Sequence, residues 1–255
     1  MRFDSAYLRH TAESPAIRAI KATAREHLEL GEGGRVLDLG CGPAIDTIAL
    51  ARIVGPSGFV LGVDSDAQTI EEANRSAVSE GVGGFTRHIV GNATAVPWES
   101  SQFDACFSER LLQHIPWMDA GKVVSEMVRI VRPAGRVVAV DTDWATLSIA
   151  CEDPWLERRV VAGYASMFAN PFSGRRLPAL LRVGGLLDLT VDTYDVALTG
   201  VATNFLLRPW LRLGVATGRI GLAEVARWEH SMRTAIQYGL FFAHVAMVMV
   251  AGRKS

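Results

Sequence analysis

The sequence predicts an α/β chain with a doubly wound, seven-stranded sheet, and three observations lead there. Short β-branched runs alternate with longer helix-patterned ones up to about residue 143, the way βαβ units appear along a chain. The breaks carry Gly and Pro, as in Gly31-Glu32-Gly33-Gly34 and Gly55-Pro56-Ser57-Gly58, which stop helices and start strands. With 255 residues, 49% of them apolar, the chain can bury a substantial core.

In chain order, strands are expected at Arg35–Leu39, Phe59–Asp64, Thr86–Val90, Phe103–Phe107 and Gly135–Asp141, with helices around Ile45–Ile53, Ala67–Glu80 and Ala120–Val131. Residues 1–30 read as an N-terminal helical cap and 33–143 as the core. After residue 143 come helical stretches at Pro154–Asn170 and Arg175–Gly184, a strand at Leu189–Ala197, a mostly helical segment Thr199–Tyr238 and a closing strand Leu240–Ala251. The 199–238 excursion is expected to cap the ligand edge as a helical lid insertion. With no repeat, low-complexity tract or linker, residues 1–255 read as one domain. Right-handed crossovers leave the carboxyl ends of the strands as the ligand edge.

Composition narrows the function. A net charge of −1, from 26 basic and 27 acidic residues, supplies no field to hold a phosphate backbone, so no nucleic-acid partner is expected. Cys41, Cys106 and Cys151 are far apart and lack metal-site or CxxC spacing, as suits unpaired thiols in a reducing cytoplasm. The opening MRFDSAYLRHTAESP has no basic-then-apolar run of a secretory signal. The longest apolar run, Leu240–Ala251, is too short for a membrane span, which needs roughly 20 residues. A cytoplasmic chain without a membrane span is the expectation.

The most informative stretch is Val36-Leu37-Asp38-Leu39-Gly40-Cys41-Gly42-Pro43-Ala44, an apolar strand entering a glycine turn and then a helix. Gly40 and Gly42 let backbone N–H groups approach a ligand, and Pro43 suits a first helical turn. Asp64 ends the second strand, 22 residues after Gly42, where a carboxylate accepts both hydroxyls of a ribose. The plainer alternative for Asp64 is to cap the helix starting at Ala67, which Ser65 or Asp66 can also do. A nicotinamide dinucleotide needs a third glycine where this chain has Ile45.

On these residues the sequence resembles the class I S-adenosylmethionine-dependent methyltransferases, whose first motif is an acidic residue followed by a Gly-x-Gly turn. The resemblance spans roughly residues 33–143 and implies a Rossmann-like, mostly parallel sheet with its last strand antiparallel. It also implies S-adenosylmethionine as cofactor. Gly40, Cys41 and Gly42 would lie against its amino-acid part, with Asp38 supporting the loop or meeting the ammonium group. Asp64 would hold the ribose and Ser65 would lie beside the adenine. Asn92 and Ala93, in Gly91-Asn92-Ala93, would contact the base through the Asn92 side-chain carbonyl or through backbone, although many relatives carry Asp there.

The fourth strand leads into Ser108-Glu109-Arg110-Leu111-Leu112-Gln113-His114-Ile115-Pro116, which in the resembled family faces the reactive methyl. His114 is the general-base candidate, against a plain reading as a helix-start residue or pocket wall. Glu109 is a further cofactor-binding candidate. Methyl transfer asks mainly for alignment and exclusion of water, and an imidazole helps if a hydroxyl must lose its proton. Asp141 and Asp143 are placed to orient substrate or cap a loop; further ligands for a metal are not evident, so none is expected.

Phe205, Leu206, Leu207, Trp210, Leu211 and Leu213 are spaced along one helix face. With Trp144, Tyr164, Met167 and Phe168 they line a greasy lid, or they pack on the sheet or a homo-oligomer partner. Arg175 and Arg176 meet an acidic substrate group or begin a solvated helix. Tyr7 and His10 are weaker cofactor-closing candidates. The expectation is methylation of O, N or C of a small, largely apolar molecule of secondary or lipid-like metabolism. The alternative is a related enzyme that keeps the cofactor but cyclises or rearranges its substrate.

Overall fold

The computed structural model describes residues 5–255, and within them every side chain except those of residues 6, 7 and 200–206. The readings attached to Tyr7, Phe205 and Leu206 therefore lie outside the described side chains. Helices α1 (Ser5–Ala12) and α2 (Pro15–His27) precede β1 (Arg35–Leu39), and then α3 (Ile45–Val54), β2 (Phe59–Asp64), α4 (Ala67–Ser79), β3 (Thr86–Val90) and β4 (Phe103–Glu109) alternate. A single 3-10 turn, Leu112–His114, leads to α5 (Trp117–Ile130) and β5 (Val131–Ile149). The chain closes with α6 (Pro154–Ala165), α7 (Ser173–Val183), β6 (Leu186–Ala197), α8 (Gly200–Ala216), α9 (Leu222–Gln237) and β7 (Ala243–Lys254).

The strands form a seven-stranded sheet in the order β3-β2-β1-β4-β5-β7-β6. Pairing is parallel from β3 to β5, and β7 runs antiparallel between β5 and β6, as the sequence predicts. After Arg35 every residue of β1 is buried, as expected of a strand covered by helices on both sheet faces. The helices follow their apolar stripes: Ala120, Val123, Val124, Met127 and Ile130 of α5 are all buried. Successive strands run outward from β1 in opposite directions, so the crevice at the carboxyl ends of β1 and β4 is where a ligand can enter.

Several boundaries depart from the sequence reading, and those of β5 and β7 show why. Strand β5 extends past Asp141 because β7 pairs with it as far as Ile149↔Ala243, with an irregularity between Asp143 and Ser148. Strand β7 starts later than Leu240 and runs on to Lys254. Leu240 and Phe242 are 70% and 58% exposed, while Arg253 pairs with Arg136 and Lys254 with Leu186. Backbone pairing here outranks side-chain hydrophobicity.

On α6, Gly163 permits a close approach. A Cβ there would lie 1.9 Å from the Trp210 ring of α8, and Trp210 is only 3% exposed. Gly163→Ala is expected to destabilise the fold by about 2 kcal/mol in denaturant unfolding through overpacking, despite alanine's better helix propensity. No helix among the described residues is long and apolar enough to cross a membrane.

Candidate active site

The turn after β1 explains its glycines. Gly40 has φ +81°, and a Cβ there would meet Leu111 at 3.1 Å; Gly42 has φ +52°, again left-handed backbone that favours glycine. Strand β2 holds this turn. Gly40 N and Cys41 N donate to Val63 O (2.7 and 3.1 Å), and Gly42 N donates to Asp64 Oδ2 at 3.1 Å. Asp64 Oδ1 accepts from Asp66 N at 3.0 Å. The helix-cap alternative for Asp64 goes instead to Asp66, whose carboxylate accepts from Thr69 N at 2.7 Å. Asp64 is thus presented at the strand tip by the backbone around it.

The strand ends enclose a cavity of about 410 Å³. All ten candidates from the sequence, Asp38, Gly40, Cys41, Gly42, Asp64, Ser65, Asn92, Ala93, Glu109 and His114, line it. Asn92 differs in one detail. Its Oδ1 accepts from both Thr94 N and Thr94 Oγ1 at 2.9 Å, which occupies both lone pairs. Of the two routes the sequence leaves open for Asn92, side-chain carbonyl or backbone, the carbonyl is thus already engaged by Thr94.

Several wall residues escape the sequence reading, among them Lys21, Asp46 and Gln113. Lys21 of α2 is 5% exposed and reaches the carboxylates of both Asp46, on α3, and Glu109, at the end of β4. A lysine inside the buried stripe Ile17, Ile20, Ala24 is the sequence signal for such a role. Burial opposes the charge on Lys21, but Asp46 and Glu109 hold its pKa above the ordinary value. Burial also pushes Glu109 up, and Arg110 and Lys21 outweigh it to leave the carboxyl at about 2. Asp38 accepts from Thr47 Oγ1 at 2.6 Å. Burial, reinforced by Asp46, raises its carboxyl to about 7. Among the described residues, five acidic side chains, those of Asp38, Asp46, Asp64, Asp66 and Glu109, line the cavity with two basic ones, Lys21 and Arg110. The excess of negative charge favours a cationic ligand.

The same lining includes His114, Leu111, Ile115 and, from α1, Leu8, with Leu111 against Gly40 and Leu8 near Gly42. Burial lowers the His114 pKa to about 4, with Arg110 contributing, so the ring is neutral near pH 7. Its Nε2 lies 3.1 Å from Gln113 Nε2, and Gln113 Oε1 accepts from Trp144 Nε1 at 2.7 Å.

Other candidates face elsewhere. Asp141 accepts from Gln113 N, Thr142 N and Ser173 Oγ, and Asp143 pairs with Arg175. Both carboxylates anchor α7 and the turn before α5 and are 2–3% exposed, so neither lines the cavity. Arg176 sits over the Trp117 ring at 4.1 Å. His10 is exposed and away from the cavity wall. Trp144, Tyr164 and Phe168 form a ring cluster with centroids 4.7–5.5 Å apart. Leu207, Trp210 and Leu211 are buried, whereas Leu213 is 46% exposed. None of these lid residues lines the 410 Å³ cavity.

Residues 36–135 match a methyltransferase-domain family model. The chain is 35% identical over 184 residues to a demethylmenaquinone methyltransferase of a Geobacillus species, covering 66% of this chain and 77% of that protein. It is 32% identical over 98% of its length to an uncharacterised 37.1 kDa protein of a Streptomyces fradiae transposon, of which it covers 71%. The YcgJ protein of Bacillus subtilis shares the fold, with a TM-score of 0.66 at 18% identity over 93% of this chain and 98% of that one. Sequence kinship and a glycine turn set beside a strand-tip carboxylate agree: the chain belongs to the class I S-adenosylmethionine-dependent methyltransferases, and it is an enzyme.

Proposed function

We propose that this enzyme methylates an O, N or C atom of a small, largely apolar molecule at the mouth of the cavity beside His114. One observation carries the reading: the cavity combines acidic side chains with an apolar wall of Leu8, Leu111 and Ile115 and has His114 in the same lining. A cavity of about 410 Å³ lies in the usual range for small ligands. The relatives named for demethylmenaquinone methylation support a small acceptor, as does the chain's near-zero net charge.

The residues present fit S-adenosylmethionine. Its sulfonium and ammonium charges match the carboxylate excess, Asp64 suits the ribose hydroxyls, and Asp38 suits the ammonium. The Gly40–Gly42 turn would lie along the amino-acid part, with Ser65, Asn92 and Ala93 around the base. Glu109, held by Lys21, sets the local charge. When bound, the cofactor supplies an electrophilic methyl group on sulfur. The chain's task is then to align the acceptor and exclude water. Leu8, Leu111 and Ile115 supply the apolar part of the wall.

Asp38 makes cofactor binding depend on pH. A carboxyl at about 7 is mostly protonated at pH 6 and mostly ionised at pH 8, and only the ionised form attracts an ammonium. Calorimetric affinity for the cofactor is expected to be about tenfold weaker at pH 6 than at pH 8, with the profile flattened in Asp38→Asn.

Product analysis tests the proposed reaction. Small apolar acceptors are incubated with the enzyme and either the cofactor or its demethylated form. A methylated product formed only with the cofactor supports the proposal. A rearranged product formed equally with both forms would favour the cyclase alternative.

A further inference from the structure

The exposed aromatic rings among the described side chains are those of Trp117, Trp155, Phe172, Tyr238 and Phe242. Topology brings all of them to the carboxyl edge of the sheet. Trp117 opens α5, which follows β4, and Trp155 lies in the first turn of α6, which follows β5. Phe172 precedes α7, which leads back to the start of β6 at the amino edge. Tyr238 and Phe242 precede β7, which runs antiparallel to β5 and so begins where β5 ends; Ala150 N donates to Phe242 O at 2.8 Å. None of these rings lies at the amino edge. The rim they form adjoins the cavity. Ile115 is a wall residue, and Pro116, Trp117 and Met118 follow it directly, all exposed, Met118 at 90%. The segment before α7 is tied to the same wall: Asn170 N donates to Gln113 O at 3.0 Å, and Asp141 accepts from both Gln113 N and Ser173 Oγ. Across this junction Arg176 lies 4.1 Å from the Trp117 ring centre and 5.3 Å from that of Phe172, with Arg175 5.4 Å from Phe172. Arg175, Arg176 and Lys122 stand here against Asp119, paired with Lys122, and Asp143, paired with Arg175 and buried. The rim is therefore locally positive although the whole chain carries a net charge of −1.

We propose that this aromatic rim docks the enzyme on a membrane surface that carries anionic lipid, so that an apolar acceptor reaches the cavity from the bilayer side. Exposed rings with arginines beside them suit the boundary between headgroups and acyl chains, where the ring is half apolar and the cation meets phosphate. A rigid protein face seated on the rim would close the approach to the cavity. A fluid lipid surface covers the same rings and still lets apolar molecules pass. Trp117, Met118 and Phe172 enter the boundary, and Arg175 and Arg176 meet the anionic headgroups. The route of the acceptor rests on the methyl-transfer reading; the docking does not.

Flotation of the full chain with phosphatidylcholine vesicles, with and without phosphatidylglycerol, tests the docking. Binding is expected to both and tighter with phosphatidylglycerol, and lipids brominated near the headgroup should quench part of the tryptophan fluorescence. Arg176→Gln should weaken binding to the anionic vesicles about fivefold and leave binding to the neutral ones unchanged. Trp117→Ser combined with Met118→Ser should weaken both at least about tenfold and reduce the quenching. Because these side chains are exposed, the thermal midpoint and the affinity for S-adenosylhomocysteine should stay at their wild-type values, which shows that the variants fold. No binding to either vesicle, or binding that the Trp117→Ser, Met118→Ser variant leaves unchanged, would overturn the proposal. A dimer in sedimentation that dissociates in this variant would assign the rim to a second copy of the chain and overturn it as well. The vesicle assay needs no acceptor, so failure of the methyl-transfer reading appears separately, in product analysis.

Discussion

Asp64→Ala is expected to weaken S-adenosylmethionine binding by about 3 kcal/mol, or somewhat over a hundredfold in Kd, in calorimetric titration. A carboxylate accepting two ribose hydroxyls makes two charge-assisted hydrogen bonds, each contributing roughly 1.5–3 kcal/mol. The side chain also receives Gly42 N and Asp66 N, so its loss loosens the glycine turn as well as the ribose contact. Asp64→Asn keeps one acceptor oxygen and should fall between wild type and alanine. Asp64 is at the surface of the cavity and not in the apolar core, so the thermal midpoint should move little without ligand. Unchanged affinity in Asp64→Ala would show that the ribose is held elsewhere.

Lys21→Met is the second large effect, and it acts on stability. The variant leaves the Asp46 and Glu109 carboxylates buried with one fewer cation. Breaking a buried pair from one side costs roughly 3–5 kcal/mol, so denaturant unfolding at pH 7 should report a loss of about 3 kcal/mol. The sign with pH is also set. In the wild type, Glu109 is held at about 2, so its contribution is present above the unfolded-state pKa and is lost only as pH falls through about 2. In the variant, burial raises these carboxyls, and the folded state binds more protons than the unfolded one. Stability should then partly recover as pH falls from 8 toward 5. A full loss that is independent of pH would mean that Lys21 acts through packing alone.

The fold was readable because its signals are local. The apolar run Val36–Leu39 ends in Gly-Cys-Gly, and the run Phe59–Val63 ends in Asp64, so strand, turn and ligand residue lie within one short segment. The residues that charge and orient the site are read poorly for the opposite reason. Lys21 meets Glu109 across 88 positions and Trp144 meets Gln113 across 31, and these pairings exist only once α2 and β5 have docked. Asp141 and Asp143 were open to two readings, orienting substrate or capping a loop, and the contacts favour the second. At a strand tip they look like ligand groups, yet Ser173 and Arg175 of α7 close over them. Strand ends were blurred where antiparallel pairing carries polar residues such as Arg253 and Lys254 into the sheet.

A crystal structure of the chain with the demethylated cofactor, S-adenosylhomocysteine, tests the central claim most directly. The account predicts the ligand in the cavity at the ends of β1, β2 and β4, its ribose hydroxyls on Asp64, its ammonium toward Asp38 and its sulfur on the side of His114. A ligand bound elsewhere, or one in this cavity with its ribose away from Asp64, would contradict it.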